Sequence, residues 1–210
     1  MAEEKTPPPT DPAAHGAESK PKEAAKPKLE AVDASSHPWV ESIRSALPDT
    51  VVSAKEFAGQ VTVVVARESV ARVARHLKEA EDFRYCVDVT AVDWKTRQPR
   101  FDVVYHFYSF SKNGRIRVKC GVSDGEDVPS IASVFLAANW PERETYDMFG
   151  IRFAGHPDLR RILTWDGFHG YPLRKDFPVE GIDTGAAIYP EEWPEGGGPS
   201  PGDSNKKVVS

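Results

Sequence analysis

The sequence predicts an α+β fold: a two-layer α/β sandwich with its elements in the order α-β-β-α-β-β-β, ending in an extended carboxyl-terminal arm. Apolar residues recur at helical spacing in two early stretches, Val40-Ile43-Leu47 and Val70-Val73-Ala74-Leu77. Between and after them, β-branched and aromatic residues alternate with polar ones in short runs. Beyond residue 150, prolines at 157, 172 and 178 and glycines at 155, 167 and 170 break both periods. Strands grouped in this way pack most simply as one sheet carrying helices on a face.

The elements follow in chain order. Ser36 is placed to cap the first helix, with Pro38 in its opening turn and Pro48 stopping it. A short strand is expected near Val51 and Val52, and a second at Val61-Thr62-Val63-Val64-Val65. The second helix is predicted from about Glu68 to Ala80, with His76 on its exposed surface. In the next strand Tyr85, Val87, Val89 and Ala91 alternate with Cys86, Asp88 and Thr90. The run Phe101–Tyr108 is apolar on both faces, the mark of a central strand, and places His106 as a core histidine. Ile116, Val118, Cys120 and Val122 alternate with basic residues, and Lys112-Asn113-Gly114 turns the hairpin before them. Cys86 and Cys120 read as small buried fillers. Pro129–Ala138 is expected to form a helix facing inward with Ile131, Val134, Phe135 and Ala138. Asn139 then caps a further short helix, Glu142 sits at the capping-box position, and Gly150 ends it.

Composition bounds the function. The net charge of −5 is too mild for a nucleic-acid binder. Two cysteines cannot supply the ligands of a typical iron–sulfur cluster, a four-cysteine zinc site or a disulfide framework. The longest apolar runs fall far short of the ~20 residues of a membrane helix, and the amino terminus has no apolar signal core, so a soluble cytosolic protein is expected.

Four regions are expected. Residues 1–37 hold no Phe, Trp or Tyr and read as a disordered Pro/Ala/Lys/Glu-rich tail, whose sharper reading is a tether for a partner. Residues 38–138 form the α+β domain, and 139–178 the signature helix and partner-binding arm. Residues 179–210 form a flexible tail with six acids against two lysines, which also carries Tyr189 and Trp193. These two aromatics fit either docking on another surface or folding back on their own domain. The core itself is nearly neutral, with 20 basic residues against 19 acidic ones from Pro38 to Pro178.

The stretch from Trp140 to Pro178 carries six charges of each sign. Glu142, Glu144, Asp147, His156 and His169 could supply acids, bases or ligands, and Glu142, Glu144 and His156 together would be the makings of a hydrolase. The spacing, however, fits no HExxH or ExxH template, and no phosphate loop or GxSxG elbow is present. Neither a catalytic nor a metal site is therefore assigned. Arg143 and Asp147, four apart, are expected to pair on the helix surface. Arg160, Arg161 and Arg174 suit bidentate pairing with carboxylates of a partner, with Trp165, Phe168, Tyr171 and Phe177 as anchors. A chain lacking its own hydrogen-bond ladder often borrows a neighbouring surface, and the competing reading is an arm packed on its own sheet.

These residues resemble a known family. Glu142-Arg143-Glu144-Thr145-Tyr146-Asp147-Met148-Phe149-Gly150-Ile151, followed by Gly155-His156-Pro157-Asp158-Leu159-Arg160-Arg161-Ile162-Leu163, is similar to the signature of one NADH-quinone oxidoreductase subunit, the one named C, which forms the 30-kilodalton subunit family of respiratory complex I. Gly170-Tyr171-Pro172-Leu173-Arg174-Lys175-Asp176-Phe177-Pro178 matches that family's next motif, and Asp88-Val89-Thr90-Ala91-Val92-Asp93-Trp94 resembles its strand before the hairpin. The resemblance spans about residues 38–178. It implies the same two-layer fold and a redox-silent, peripheral-arm subunit without flavin or cluster. The whole complex would pass electrons from NADH through FMN and iron–sulfur centres to quinone (ubiquinone in many members), coupled to proton translocation. The implied partners are other NADH-quinone oxidoreductase subunits: above all the quinone-site one, named D, and also those named B and I. The implied location is the cytoplasmic side of the cell inner membrane, held there peripherally. The signature positions carried over are Glu142, Arg143, Asp147, His156, Asp158, Arg160, Arg161, Arg174, Lys175 and Asp176, none of them catalytic. A related membrane-bound hydrogenase, or an F420- or ferredoxin-dependent complex, would use the same subunit type.

Overall fold

The computed structural model describes residues 30–165 and 167–181. A two-residue strand β1 (Val32–Asp33) precedes helix α1 (Pro38–Ala46), strands β2 (Val51–Phe57) and β3 (Gln60–Val65), and helix α2 (Val70–Glu79). Strands β4 (Tyr85–Asp93), β5 (Phe101–Ser109) and β6 (Gly114–Val122) follow, then β7 (Asp127–Pro129), α3 (Asn139–Phe149) and β8 (Arg152–Ala154). The expected α-β-β-α-β-β-β order is present from α1 to β6. The main sheet runs β1-β2-β3-β6-β5-β4, antiparallel except for the β3–β6 pair, and β7 and β8 form a small parallel sheet.

Helices α1 and α2 cover one face of the main sheet. Val40, Ile43, Val73, Ala74 and Leu77 join Val63, Phe101, Tyr105, Ile116 and Val118 in a single buried cluster. Burial of each Val, Leu, Ile or Phe side chain in this cluster contributes ~1.5–3 kcal/mol, which fixes which way every strand faces. Helix α3 lies along the end strand β4, where Thr145 Oγ1 donates to the Val89 carbonyl at 3.1 Å. The edge that would otherwise invite pairing is thereby occupied.

Several expectations are corrected. Ordered structure begins before Pro38: β1 pairs Val32 and Asp33 with Glu56 and Lys55. Backbone pairing at an edge needs no aromatic residue, so composition missed it. Residues 1–29 and 182–210 lie outside the described residues, and with them Tyr189 and Trp193. The cap of α1 is His37, whose Nδ1 accepts from Trp39 N at 3.3 Å, rather than Ser36. His76 is half-buried and bonded to Ser42 Oγ at 3.0 Å. In β4 a bulge between Cys86 and Asp88 resets the alternation, so Cys86, Val89, Ala91 and Asp93 turn inward while Tyr85 and Val87 face out. His106 lies half-buried on the face away from the helices and is not a core residue.

Pro129–Ala138 is not a helix. Pro129 belongs to β7, Ser130 N donates to Ala154 O, and Ile131 N donates to the Glu142 carboxylate. Those amides are taken before a helix could start, leaving one turn and a 3-10 turn at Leu136–Ala138. The inward set is nevertheless as expected: Ile131, Val134, Phe135 and Ala138 are all buried.

Candidate functional site

The described residues between 155 and 181 contain no helix or strand, yet side chains hold this arm in one shape. Asp147, in the last turns of α3, has a fully buried side chain. Its Oδ2 accepts from three successive amides, Ile162 N at 3.0 Å and Leu163 N and Thr164 N at 2.8 Å. Its Oδ1 accepts from Arg161 Nη1 at 2.6 Å and from the Thr164 hydroxyl. Burial pushes this carboxyl up, but the bonds from Thr164, Leu163 and Arg161 outweigh that and hold it at about 2. One carboxylate thus supplies the backbone partners that the segment lacks in its own ladder. Arg161 also donates to Gly170 O at 3.1 Å and lies over the rings of Tyr171 and Phe168. Arg143 donates to the Arg160 and Arg161 carbonyls at 3.1 and 3.0 Å. The expected Arg143–Asp147 pair therefore does not form: Arg161 takes the carboxylate, and Arg143 turns to the arm's backbone.

A second lock closes the arm's far end. The buried Asp93 carboxylate accepts from Arg100 Nε at 2.9 Å and Nη2 at 2.7 Å, from Lys95 N at 2.8 Å, and from Lys175 N at 2.9 Å. The Arg100 guanidinium holds the Asp93 carboxyl well below the usual carboxylate range, and Asp93 raises Arg100 in turn. Arg100 also reaches Asp176 at 2.9 Å. Arg174 meets Asp124 with two bonds of 3.0 Å, donates to Phe149 O at 2.6 Å, and lies over Phe101 and Tyr171. Gly150 ends α3 at φ 76°, and a Cβ there would meet the Tyr171 ring at 2.5 Å and Arg174 Nη2 at 2.8 Å. The helix can therefore stop, and the arm can cross it, only at a glycine.

Glu142 is not a helix cap. Its side chain is fully buried and ties α3 to the β7 end, accepting from Ser130 Oγ at 2.6 Å and Ile131 N at 2.7 Å. Burial pushes this carboxyl up to about 7 against the pull of those two bonds. His156 Nε2 lies 3.9 Å away but bonds Asn139 O at 3.1 Å, and its Nδ1 accepts from Asp158 N at 3.0 Å. A carbonyl only accepts, so Nε2 is the donor to Asn139 O. Glu144 faces solvent on the other side of α3, so Glu142, Glu144 and His156 share no water-accessible cleft, and the hydrolase arrangement fails. Among the described residues, no group of three or more His, Cys, Asp or Glu could hold a metal ion.

The ten signature positions therefore divide. Arg143, Asp147 and Arg161 converge at one end of the arm; Arg174, Asp176 and the Lys175 amide meet at the other. Glu142 and His156 lie inside, and Asp158 pairs with Arg160 on the exposed surface at 2.9 Å. The three arginines assigned to partner carboxylates, Arg160, Arg161 and Arg174, each find one within the chain. Of the expected anchors, Phe168, Tyr171 and Phe177 are half-buried against the arm itself and Trp165 is exposed; Leu136, Trp140, Leu163 and Leu173, which were not among them, are exposed as well. Asp93, Arg100 and Asp124 were missed as site residues. Asp93 did carry a signal, since it continues the odd-numbered apolar phase Val89-Ala91 of β4, where an acid needs a buried partner.

A family model described as respiratory-chain NADH dehydrogenase, 30 Kd subunit, matches residues 63–183, which takes in both locks. The chain belongs to this family. Within it, the chain is 53% identical over 136 residues to the NADH-quinone oxidoreductase subunit named C of Rhodobacter capsulatus, covering 64% of this chain and 68% of that one. It is 48% identical over 136 residues to the subunit of the same name from Geobacter sulfurreducens, covering 64% and 84%. Among solved structures it is similar to a chain of the membrane-bound sulfane sulfur reductase, an archaeal respiratory membrane complex, with a TM-score of 0.58 and 25% identity over 67% of this chain and 84% of that one. The matched span places the family resemblance on the residues that shape the arm.

Proposed function

We propose that this chain is the redox-silent 30-kilodalton subunit of a proton-translocating NADH:quinone oxidoreductase, a scaffold that seats the quinone-site subunit (named D) and adjoins those named B and I. The observation that carries the reading is the arm: a segment without its own backbone ladder, fixed by the buried Asp147 and Asp93, with large apolar side chains exposed on it and beside it. Leu136 is 88% exposed, Trp140 68% and Leu163 63%. A surface already ordered loses little entropy on docking, and aromatic or aliphatic anchors of this size carry interface energy. FMN and iron–sulfur clusters belong to partner subunits in this reading, and the electrons pass from NADH to quinone outside this chain. No helix among the described residues is long and apolar enough to cross a membrane, which fits peripheral attachment through the complex, on the cytoplasmic side of the inner membrane.

The test is co-purification from native membranes with identification of the attached chains. Trp140→Ala together with Leu163→Ala should weaken recovery of the quinone-site subunit while leaving the melting temperature of the isolated chain within ~2 °C. Arg174→Ala, which removes the bonds from the arm to Asp124 and to the Phe149 carbonyl, should weaken it as well. Undiminished recovery from both variants, or stoichiometric iron or flavin in the isolated chain, would refute the reading. The likeness to the sulfane sulfur reductase chain favours one second reading, the equivalent subunit of a related respiratory membrane complex, of which a membrane-bound hydrogenase or an F420- or ferredoxin-dependent complex would be examples. The identity of the co-purifying input module separates the two.

A further inference from the structure

No helix or second sheet covers the face of the main sheet opposite α1 and α2 among the described residues, although Val104 on it is buried and Trp94 and Pro99 pack at its Asp102–Gly121 end. At one end of it, Tyr85, Tyr108, Phe110, Arg115 and Arg117 surround a concavity of about 580 Å³, within the ~300–1,000 Å³ range of binding pockets. Phe110 is 72% exposed and Tyr85 49%, and the two rings lie 5.9 Å apart. Arg117 bonds only Gln60 Oε1 and Thr62 Oγ1, and Arg115 lies over the Tyr108 ring, so neither has a carboxylate partner among the described residues. Arg100, Arg161 and Arg174 of the arm locks each have one. Lys119 continues the same row along β6, and Asp88 stands across from His106 on β4.

Its occupant should therefore be acidic, aromatic and extended. Residues 182–195 of this chain read Ile-Asp-Thr-Gly-Ala-Ala-Ile-Tyr-Pro-Glu-Glu-Trp-Pro-Glu, with four acids and no lysine or arginine. Residues 1–29 do not qualify, having five charges of each sign and no aromatic residue. Reach is sufficient. Asp176 is bonded to Arg100, beside the start of β5, and the seven residue steps from Phe101 to Tyr108 cover ~24 Å. The thirteen residues from Asp176 to Tyr189 span up to ~43 Å. A tether of this length also supplies an effective concentration of about millimolar, so a weak contact is enough.

We propose that residues 182–195 dock across the uncovered sheet face of their own chain, with Tyr189 and Trp193 against Tyr85 and Phe110 and with Glu191, Glu192 and Glu195 facing Arg115 and Arg117. This self-docking does not depend on the proposed role in the complex, because it is tested on the isolated full-length chain. With Trp193→p-benzoylphenylalanine, photo-crosslinks should fall on residues 85–92 or 104–117 of the same chain, independent of protein concentration. Glu191→Lys, Glu192→Lys and Glu195→Lys together should lower that yield about tenfold at low salt, and adding Arg115→Glu with Arg117→Glu should restore it. The inference is overturned by crosslinks confined to α3 or residues 155–181, by crosslinks between two copies, or by none at all. It is equally overturned if the isolated chain gives none while the assembled complex gives crosslinks to another subunit.

Discussion

Asp147→Asn tests the claim that one carboxylate shapes the arm. Asparagine keeps a single acceptor oxygen. If that oxygen serves the three amides of Ile162, Leu163 and Thr164, the amide nitrogen faces Arg161 Nη1 and the Thr164 hydroxyl. Two hydrogen bonds to an ionised acceptor are then disrupted: that from Arg161, worth ~1.5–3 kcal/mol, and that from the Thr164 hydroxyl, which can turn to accept from the amide and so costs only ~1 kcal/mol. Arg161, whose side chain is only 15% exposed, is also left without its counter-charge. The sum is about 3 kcal/mol, at the lower edge of the ~3–5 kcal/mol for breaking a buried pair. For a domain of this size that lowers Tm by ~6–12 °C. Urea or thermal unfolding measures the loss, and hydrogen exchange locates it, with the amides of residues 162–164 losing protection first. Asp158→Asn, at the exposed pair with Arg160, is the control and should cost under ~0.5 kcal/mol. Equal effects of the two variants, or unchanged protection at 162–164 in Asp147→Asn, would refute the reasoning.

The Glu142 carboxyl is raised in the folded chain from an ordinary 4.5 to about 7, so its stabilisation is full below 4.5 and is lost as pH rises through 7, by up to about 3 kcal/mol. Glu142→Gln cannot ionise, so the stability difference between wild type and variant should shift in favour of the variant from pH 5 to 8; parallel Tm–pH curves would contradict this. Gly150→Ala should cost ~2–4 kcal/mol, from the left-handed backbone and from overpacking against Tyr171, read as a fall in the urea midpoint. A Gly150→Ala chain as stable as wild type would mean that the arm does not cross α3 there. Arg100→Ala leaves the Asp93 carboxylate buried without its cation and should cost ~3–5 kcal/mol, with loss of exchange protection at the Lys175 amide. Burial pushes the Cys86 and Cys120 thiols up to about 12, so neither should react with a disulfide reagent at pH 8 until the chain is unfolded. Rapid labelling of the native chain would place one of them at the surface.

The elements from α1 to β6, the hairpin at Asn113-Gly114 and the glycine stop at 150 are all legible in the order of the residues. Each is written in a local period or a backbone preference that the chain carries wherever it goes. The density of charge among prolines and glycines also marks Glu142, Asp147, Arg161 and Arg174 as unusual. Whom those charges meet is settled only in the folded chain. Arg143 and Asp147 stand one helical turn apart, yet Arg161 takes the carboxylate, because the arm returns to bury it and a desolvated charge binds whichever donors surround it most completely. The helix expected over Pro129–Ala138 gives way for the same reason: Ala154 and Glu142, 24 and 11 residues along the chain from Ser130 and Ile131, capture the amides that would have begun it. Periodicity is a property of neighbours in sequence, whereas hydrogen bonds act over about 3 Å in space. The fold's layers can therefore be read from the chain, while the locks that shape its arm exist only once distant segments have been brought together.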